Sequence, residues 1–199
     1  TLGFLTEFDK NNIDDTVAKI SRGEYTIEER RVLSVSITSE DGKKEFCGYA
    51  LNDCVVSREL LTNVAYLKLY INDIPVDTYP CDGIIVATQT GSTAYSLSVG
   101  GPIVTPQAGV FVISPIAPHN LNVRPLIVPD NADIRMRILS RADEVMLTVD
   151  NRELIIPSTA EICLNKGDFS MKTVSLKKEN FFQALQEKLL WGADKRNNL

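Results

Sequence analysis

The chain has 199 residues, of which 44% are hydrophobic, and carries a net charge of −5 with a pI near 5.0. That apolar fraction is typical of a globular protein and excludes a disordered one, and the absence of a basic footprint argues against nucleic-acid binding. No apolar run approaches the ~20 residues of a membrane-spanning helix. The first residues, Thr1-Leu2-Gly3-Phe4, lack the regions of a signal peptide, so we expect a cytoplasmic protein with no membrane partner.

Metal-ligating residues are few and scattered. The four cysteines stand at positions 47, 54, 81 and 163 without a Cys-x-x-Cys pair, and His119 is the single histidine. This pattern predicts reduced cysteines and no structural metal site.

The predicted elements begin with a helix. Asn11 or Asn12 can cap it, Ile13, Val17 and Ile20 share one face, and Gly23 ends it. The charged run from residue 24 to residue 31 is interpreted as a solvated connection.

From residue 32 the apolar period changes to two, which is typical of strands. Turns are expected at residues 40–43 and 72–73, and Pro75 indicates an edge strand. A last amphipathic helix, capped by Asn180 and ended by Gly192, precedes a polar tail. The pattern predicts a mainly β fold, an antiparallel β-sandwich with short helices, with strands at residues 32–37, 45–50, 54–56, 65–71, 75–79, 84–87, 110–114, 126–128, 133–139, 145–149, 153–156, 160–164 and 170–176.

The stretch from Asp82 to Pro102 is organised as strand, polar turn and helix start. The apolar run Ile84–Ala87 leads into a Thr/Ser-rich turn around Gly91, and Gly100-Gly101-Pro102 ends the short helix. We expect free backbone N–H groups and several hydroxyls pointing the same way, which suits a phosphate, a ribose or a base edge. Neither Gly-x-Gly-x-x-Gly nor a P-loop occurs, and a plain connection is the alternative.

Three carboxylates stand at strand ends. Asp53 precedes an apolar strand, Asp82 opens the stretch just described, and Asp150 follows the strand 145–149. Each could accept the hydroxyls of a ribose or could be a turn or cap residue.

The stretch Asp82–Pro102 resembles the glycine-rich signature of NAD kinases, which phosphorylate NAD to NADP. Further matches follow in the family's order along the whole chain: Leu2-Gly3-Phe4-Leu5-Thr6-Glu7, Ala50-Leu51-Asn52-Asp53, Ser114-Pro115-Ile116-Ala117-Pro118-His119, Arg124-Pro125-Leu126, Val149-Asp150 and Lys188-Leu189-Leu190-Trp191-Gly192. The resemblance implies three parts: residues 1–30 as the end of an N-terminal α/β domain with a connecting helix, residues 31–177 as an NAD-binding β-sandwich, and residues 178–199 as a helix and tail that pack back toward the N-terminal domain.

The resemblance also implies the site residues. Asn52 and Asp53 would contact NAD, and Asp82 would hold nucleotide groups, often from a neighbouring subunit. The implied NAD-binding residues are Asn52, Asp53, Asp82, Thr93, Ala94, Tyr95, Ser98, Ala117 and Arg152, and the near-site residues are Phe4, Thr90, Ser92, His119 and Asp150. Tyr95 can cover a ribose or a ring with its face.

Three departures from the family pattern stand out. Gln89 replaces a usual Pro, which frees φ and restores an N–H group. Asn151 replaces a usual Gly, and Asn tolerates left-handed backbone. The family's Gly-Gly-Asp-Gly motif, whose Asp is the usual candidate for activating the ribose hydroxyl, is absent from these residues. We therefore expect no catalytic residue here, a longer parent protein, and no activity from this chain alone.

As a complete protein, the family member would use ATP or polyphosphate with Mg²⁺ to phosphorylate the adenosine-ribose 2′-hydroxyl of NAD. Exposed strand edges and a site shared between subunits favour a homodimer or homotetramer. Two alternatives remain: a non-catalytic dinucleotide-binding or oligomerisation module, and a related lipid kinase domain, against which the matches at residues 52–53 and 93–98 argue.

Overall fold

A computed structural model describes residues 12–58, 65–139, 142–176 and 181–191. These residues fall into two compact units. The larger unit spans residues 30–171, and the described part of the smaller one comprises residues 12–29, 172–176 and 181–191. The domain boundaries implied by the sequence stay a prediction.

Twelve strands and three α-helices occur among the described residues. Their bounds are α1 Ile13–Ser21, β1 Thr26–Thr38, β2 Lys44–Ala50, β3 Asp53–Ser57, β4 Ala65–Ile71, β5 Ile74–Cys81, β6 Gly83–Ala87, α2 Tyr95–Ser98, β7 Val110–Ile116, β8 Leu126–Pro129, β9 Ile134–Leu139, β10 Glu144–Val149, β11 Arg152–Pro157, β12 Glu161–Ser175 and α3 Phe181–Leu189. No helix in this part of the chain is both long and apolar enough to cross a bilayer.

The strands form two six-stranded sheets. Sheet A has the order β2-β1-β12-β9-β4-β5 and sheet B the order β11-β10-β3-β6-β7-β8. The nine neighbouring pairs other than β1–β12 are antiparallel. The predicted mainly β, antiparallel fold is confirmed, and so is the edge position of β5, which contains Pro75.

The central strands of sheet B are buried on both faces. One face contributes Ile84 and Val86 of β6 to the large apolar core that is shared with residues of sheet A. The opposite face contributes Ile85 and Ala87 to a second core, which Val104 covers from the long connection after β6. Burial on both faces explains why residues 84–87 form a continuous apolar run rather than an alternating one.

Two predicted turns are confirmed by backbone geometry. Gly42 has a φ of +80° in the β1–β2 connection. Asn72 and Asp73 have φ values of +50° and +66° between β4 and β5. Asn and Asp are the non-glycine residues that enter this region most readily.

The charged run at residues 24–31 is not simply a connection, and this prediction was wrong. Strand β1 begins at Thr26, and its first residues lie beside the end of β12. The Thr26 hydroxyl donates to the Ser175 carbonyl at 3.4 Å, and the Thr173 hydroxyl donates to the Glu28 carbonyl at 3.3 Å. Charged side chains are compatible with a strand whose outward positions meet water.

The two strands predicted at residues 160–164 and 170–176 are one strand, β12. The polar segment between them, which includes Gly167, does not turn. A Cβ on Gly167 would lie 2.4 Å from Val32 Cγ2, so glycine here permits a close approach rather than a turn.

The last helix is confirmed, but it ends at Leu189, and Leu190 has a φ of +52°. The predicted cap Asn180 and terminator Gly192 lie outside the described residues, as does the segment 1–11 with Phe4.

Candidate functional site

A cleft of about 360 Å³ opens in the larger unit against sheet B. That volume lies within the range of small-molecule binding sites. It is lined by Asn52, Asp53, Val55, Ser57, Ala94, Tyr95, Ile116, Thr148, Asp150 and Asn151.

Antiparallel pairing explains why residues distant in sequence meet here. Asp53 opens β3 and pairs with Ala87, the last residue of β6. On the other side, Cys54 pairs with Val149, the last residue of β10. The segment before β3 and the residues after β6 and β10 therefore meet at one edge of sheet B.

The cleft also extends along β3. Asp53, Val55 and Ser57 alternate on the cleft side of the strand, as the period of two requires. Thr148 faces Val55 in the register of β10 with β3. The sequence analysis predicted Asp53 but missed the other lining residues, which are Val55, Ser57, Ile116, Thr148 and Asn151. The alternation along β3 beyond Asp53 was the available signal.

Asp150 fixes the segment Leu51–Asp53, which we call the Leu51–Asp53 turn. Its carboxylate accepts backbone N–H groups from Leu51 at 2.9 Å, Asn52 at 2.8 Å and Asp53 at 3.2 Å. Its own N–H donates to the Asp53 carbonyl at 2.9 Å. Asp150, with a φ of +51°, is the left-handed residue of the hairpin, so the tolerance of Asn151 for that conformation is not used.

The loop after β6 holds the same turn from the other side. Thr88 donates its N–H to the Asn52 carbonyl at 2.8 Å and its hydroxyl to the Leu51 carbonyl at 2.5 Å. Gly91 packs directly on the turn, since a Cβ there would lie 2.0 Å from the Asn52 carbonyl oxygen. Glycine is required at this close approach.

The hydroxyls of this loop do not form the free array that we expected. Ser92 is fully buried, donates to the Gln89 carbonyl at 2.7 Å and accepts the Val104 N–H at 3.0 Å. Thr93 donates to the Thr90 carbonyl at 3.1 Å. The N–H groups of Gly91, Ser92 and Ala94 also have partners within the loop, because residues 91–93 form a short 3₁₀ turn. These groups stabilise the loop and present Ala94 and Tyr95 to the cleft.

Five of the predicted residues line the cleft, and the other described ones do not. Asn52, Asp53, Ala94, Tyr95 and Asp150 line the cleft. Thr93, Ser98, Ala117, His119, Thr90 and Ser92 do not belong to its lining, and neither do Asp82 and Arg152. The assignment of all these residues to a ligand site stays a prediction.

Three of the predicted residues that do not line the cleft have defined contacts with other parts of the chain. Asp82 forms an ion pair with Arg58 at 2.7 Å. Arg152 donates to the Tyr49 carbonyl at 2.6 Å and packs on Gly48. The side chain of His119 is exposed, and the backbone N–H of this residue donates to the Pro80 carbonyl at 2.9 Å.

Two carboxylates share the cleft, and this changes the acidity of one of them. Burial, followed by the negative charge of Asp150, raises the pKa of Asp53 to about 6. The side chain of Asp53 is therefore an acceptor-only carboxylate above pH 6 and a hydrogen-bond donor as well below it.

Replacing Gly91 with Ala should displace the Leu51–Asp53 turn, because the new methyl group would overlap the Asn52 carbonyl. We expect the free energy of unfolding to fall by about 1–3 kcal/mol, measured by urea denaturation. Gly109→Ala is the matched control, because a Cβ at Gly109 meets nothing closer than 3.6 Å. Equal stabilities of the two variants would contradict the close approach.

Replacing Asp53 with Asn should stabilise the chain above pH 6. The folded state binds the Asp53 proton more tightly than the unfolded state, whose pKa is about 3.9, so this group lowers the free energy of unfolding as pH rises from about 4 to about 6. Asn removes that cost, and we expect a gain of about 1–2 kcal/mol at pH 7.5 that vanishes near pH 4.

Chemical denaturation across this pH range provides the measurement. Asp143→Asn is the control for removal of an exposed carboxylate outside the cleft lining. A pH-independent effect of Asp53→Asn would contradict the raised pKa.

Comparisons with known proteins identify the family of this chain. A family model described as the ATP-NAD kinase C-terminal domain matches residues 51–176. The NAD kinase of Flavobacterium psychrophilum is 38% identical over 196 residues, which are 98% of this chain and 67% of the relative. The NAD kinase of Flavobacterium johnsoniae is 39% identical with the same coverage.

Two solved structures share the fold. A yeast NADH kinase complexed with NADH has a TM-score of 0.92 and 25% identity, covering 99% of this chain and 59% of that one. An NAD kinase from Archaeoglobus fulgidus in complex with ATP has a TM-score of 0.76 and 28% identity, covering 95% of this chain and 70% of that one. The chain spans about two thirds of the length of the curated relatives. By sequence and by structure, it belongs to the NAD kinase family and contains that family's C-terminal domain.

Proposed function

We propose that this chain supplies the dinucleotide-binding part of an NAD kinase. The complete protein would transfer a phosphoryl group from ATP to the adenosine-ribose 2′-hydroxyl of NAD. The observation that carries the proposal is the meeting of Asn52 and Asp53 with Ala94 and Tyr95 in one cleft, because these four residues come from separate segments that match the family.

The chemistry of the lining suits a nucleotide. The Asn52 amide can both donate and accept hydrogen bonds, and the ionised Asp53 carboxylate can accept two hydroxyls of a ribose. Tyr95, which is 45% exposed, offers a ring face for stacking. Val55 and Ile116 add apolar surface between these polar groups, as in most small-molecule sites.

The reactive groups for phosphoryl transfer are expected outside this chain. Such transfer depends on positioned donors and on a metal that neutralises the phosphate charge. Within the part of the chain that the structure describes, no three His, Cys, Asp or Glu side chains are arranged to hold a metal ion.

The proposal extends to partners and location. ATP is favoured as phosphoryl donor by the ATP-bound relative, with polyphosphate as the alternative donor. The chain would act in the cytoplasm as a homodimer or homotetramer. Asp82 is not among the residues that line the cleft of its own chain, although its backbone N–H donates to the carbonyl of the lining residue Ile116 at 3.0 Å. In the oligomer its side chain would reach the ligand of a neighbouring subunit.

NAD binding tests the cleft directly. We expect the purified chain to bind NAD in isothermal titration calorimetry, and Tyr95→Ala to weaken binding about tenfold or more, because an aromatic stacking surface contributes about 1–3 kcal/mol per base.

Tyr66→Ala is the matched control, since Tyr66 is 47% exposed but lies outside the lining. Equal losses from the two variants would contradict the assignment of the cleft. Sphingosine or diacylglycerol binding in place of NAD would instead support a lipid kinase.

The chain alone should not make NADP. When it is incubated with NAD, ATP and Mg²⁺, we expect no NADP in an enzymatic cycling assay, because the Gly-Gly-Asp-Gly motif is missing from its 199 residues. A full-length bacterial NAD kinase is the positive control. NADP formation that rises with chain concentration would overturn the claim that the motif is required.

A further inference from the structure

Hydrogen bonds hold the Leu51–Asp53 turn by each of its three backbone N–H groups. Three successive N–H groups, from Leu51, Asn52 and Asp53, donate to the single carboxylate of Asp150 at 2.8–3.2 Å. A carboxylate that accepts several backbone N–H groups forms charge-assisted bonds, which are stronger than neutral ones. The backbone directions of Asn52 and Asp53 are therefore fixed by a residue about 100 positions away in sequence.

The carbonyl side of the turn is held as well. Thr88 donates its hydroxyl to the Leu51 carbonyl at 2.5 Å and its N–H to the Asn52 carbonyl at 2.8 Å. The same hydroxyl accepts the Gly91 N–H at 3.2 Å. Thr88 thus connects the turn to the loop that carries Ala94 and Tyr95. It is fully buried and is not among the residues lining the cleft.

We propose that Asp150 and Thr88 are positioning residues that fix the Leu51–Asp53 turn so that Asn52 and Asp53 engage the dinucleotide together with Tyr95. This inference rests on the proposed function. Asp150 holds the N–H groups of the turn, Thr88 holds its carbonyls, and neither residue needs to touch the ligand for the effect. Because the turn is fixed before the ligand arrives, binding does not have to order it, which favours affinity.

Thr88 separates this role from direct ligand contact. Asp150 lines the cleft, so a loss of affinity in Asp150→Asn alone could arise from a lost ligand contact. Asn retains one oxygen, but its amide group would face the Leu51 N–H, which then loses its acceptor. Thr88→Val removes the hydroxyl at nearly constant volume from a residue outside the lining, so any effect on NAD must pass through the turn or the loop.

The experiment compares NAD affinity, by calorimetry, in the unmodified chain and in Asp150→Asn, Thr88→Val and Thr88→Ser. Thr38→Val is the matched control, because its hydroxyl lies 3.7 Å from the Cys163 sulfur, away from the turn. We expect affinity to fall about tenfold or more in Asp150→Asn and Thr88→Val, since each loses a hydrogen bond and leaves a backbone group unpaired. Thr88→Ser should restore most of the affinity because it keeps the hydroxyl, and Thr38→Val should stay within about twofold.

A spectroscopic signature accompanies these affinities. In ¹H–¹⁵N spectra of folded Asp150→Asn, the amide signals of residues 51–53 should move upfield as their acceptor loses its charge. Binding within about twofold of the unmodified chain in Thr88→Val, or a loss confined to Asp150→Asn, would overturn the positioning role.

Should Thr88→Val fail to fold, hydrogen exchange in the unmodified chain carries the test. The amides of residues 51–53 should be protected before NAD is added, and exchange at the rate of an open loop would overturn the proposal. Absence of NAD binding by the folded, unmodified chain would instead overturn the proposed function, and the exchange result would still report whether the turn is fixed.

Discussion

Three backbone N–H groups and one carboxylate organise the cleft of this protein. Leu51 and Asn52 precede β3, and Asp53 opens it next to the first residue that pairs with β10. Their N–H groups therefore need an acceptor outside that pairing, and Asp150 supplies it. Strand pairing places this acceptor beside the turn, because Val149, the residue before Asp150, lies opposite Cys54 in the register of β10 with β3. The fold therefore supplies both the N–H donors and the carboxylate that accepts their hydrogen bonds.

The same arrangement places two negative charges in a confined space. Asp150 accepts hydrogen bonds from three backbone N–H groups, whereas Asp53 is buried beside it, and the pKa of Asp53 rises to about 6. One aspartate therefore stabilises the turn, whereas the surroundings of the other raise its pKa, although the two side chains are the same. Environment, not residue type, separates their roles.

Local pattern predicted much of the fold but less of the site. The apolar run Ile84–Ala87, the turn at Asn72-Asp73 and the edge strand with Pro75 follow from short-range rules, and the structure confirms them. The strand character of residues 26–31 was missed because a charged strand depends on a distant partner, here the end of β12. The loop hydroxyls were expected to be free for a ligand because a sequence pattern does not show which groups a short 3₁₀ turn will use. The three bonds to Asp150 join residues about 100 positions apart, so no local signal could reveal them.

A crystal structure of the chain soaked with NAD would show whether this cleft receives an adenine dinucleotide. We expect continuous density for NAD between the ring of Tyr95 and the Leu51–Asp53 turn, with the Asn52 and Asp53 side chains within hydrogen-bonding distance of it. NAD bound at another surface while this cleft holds only solvent, in crystals soaked at a saturating concentration, would contradict it.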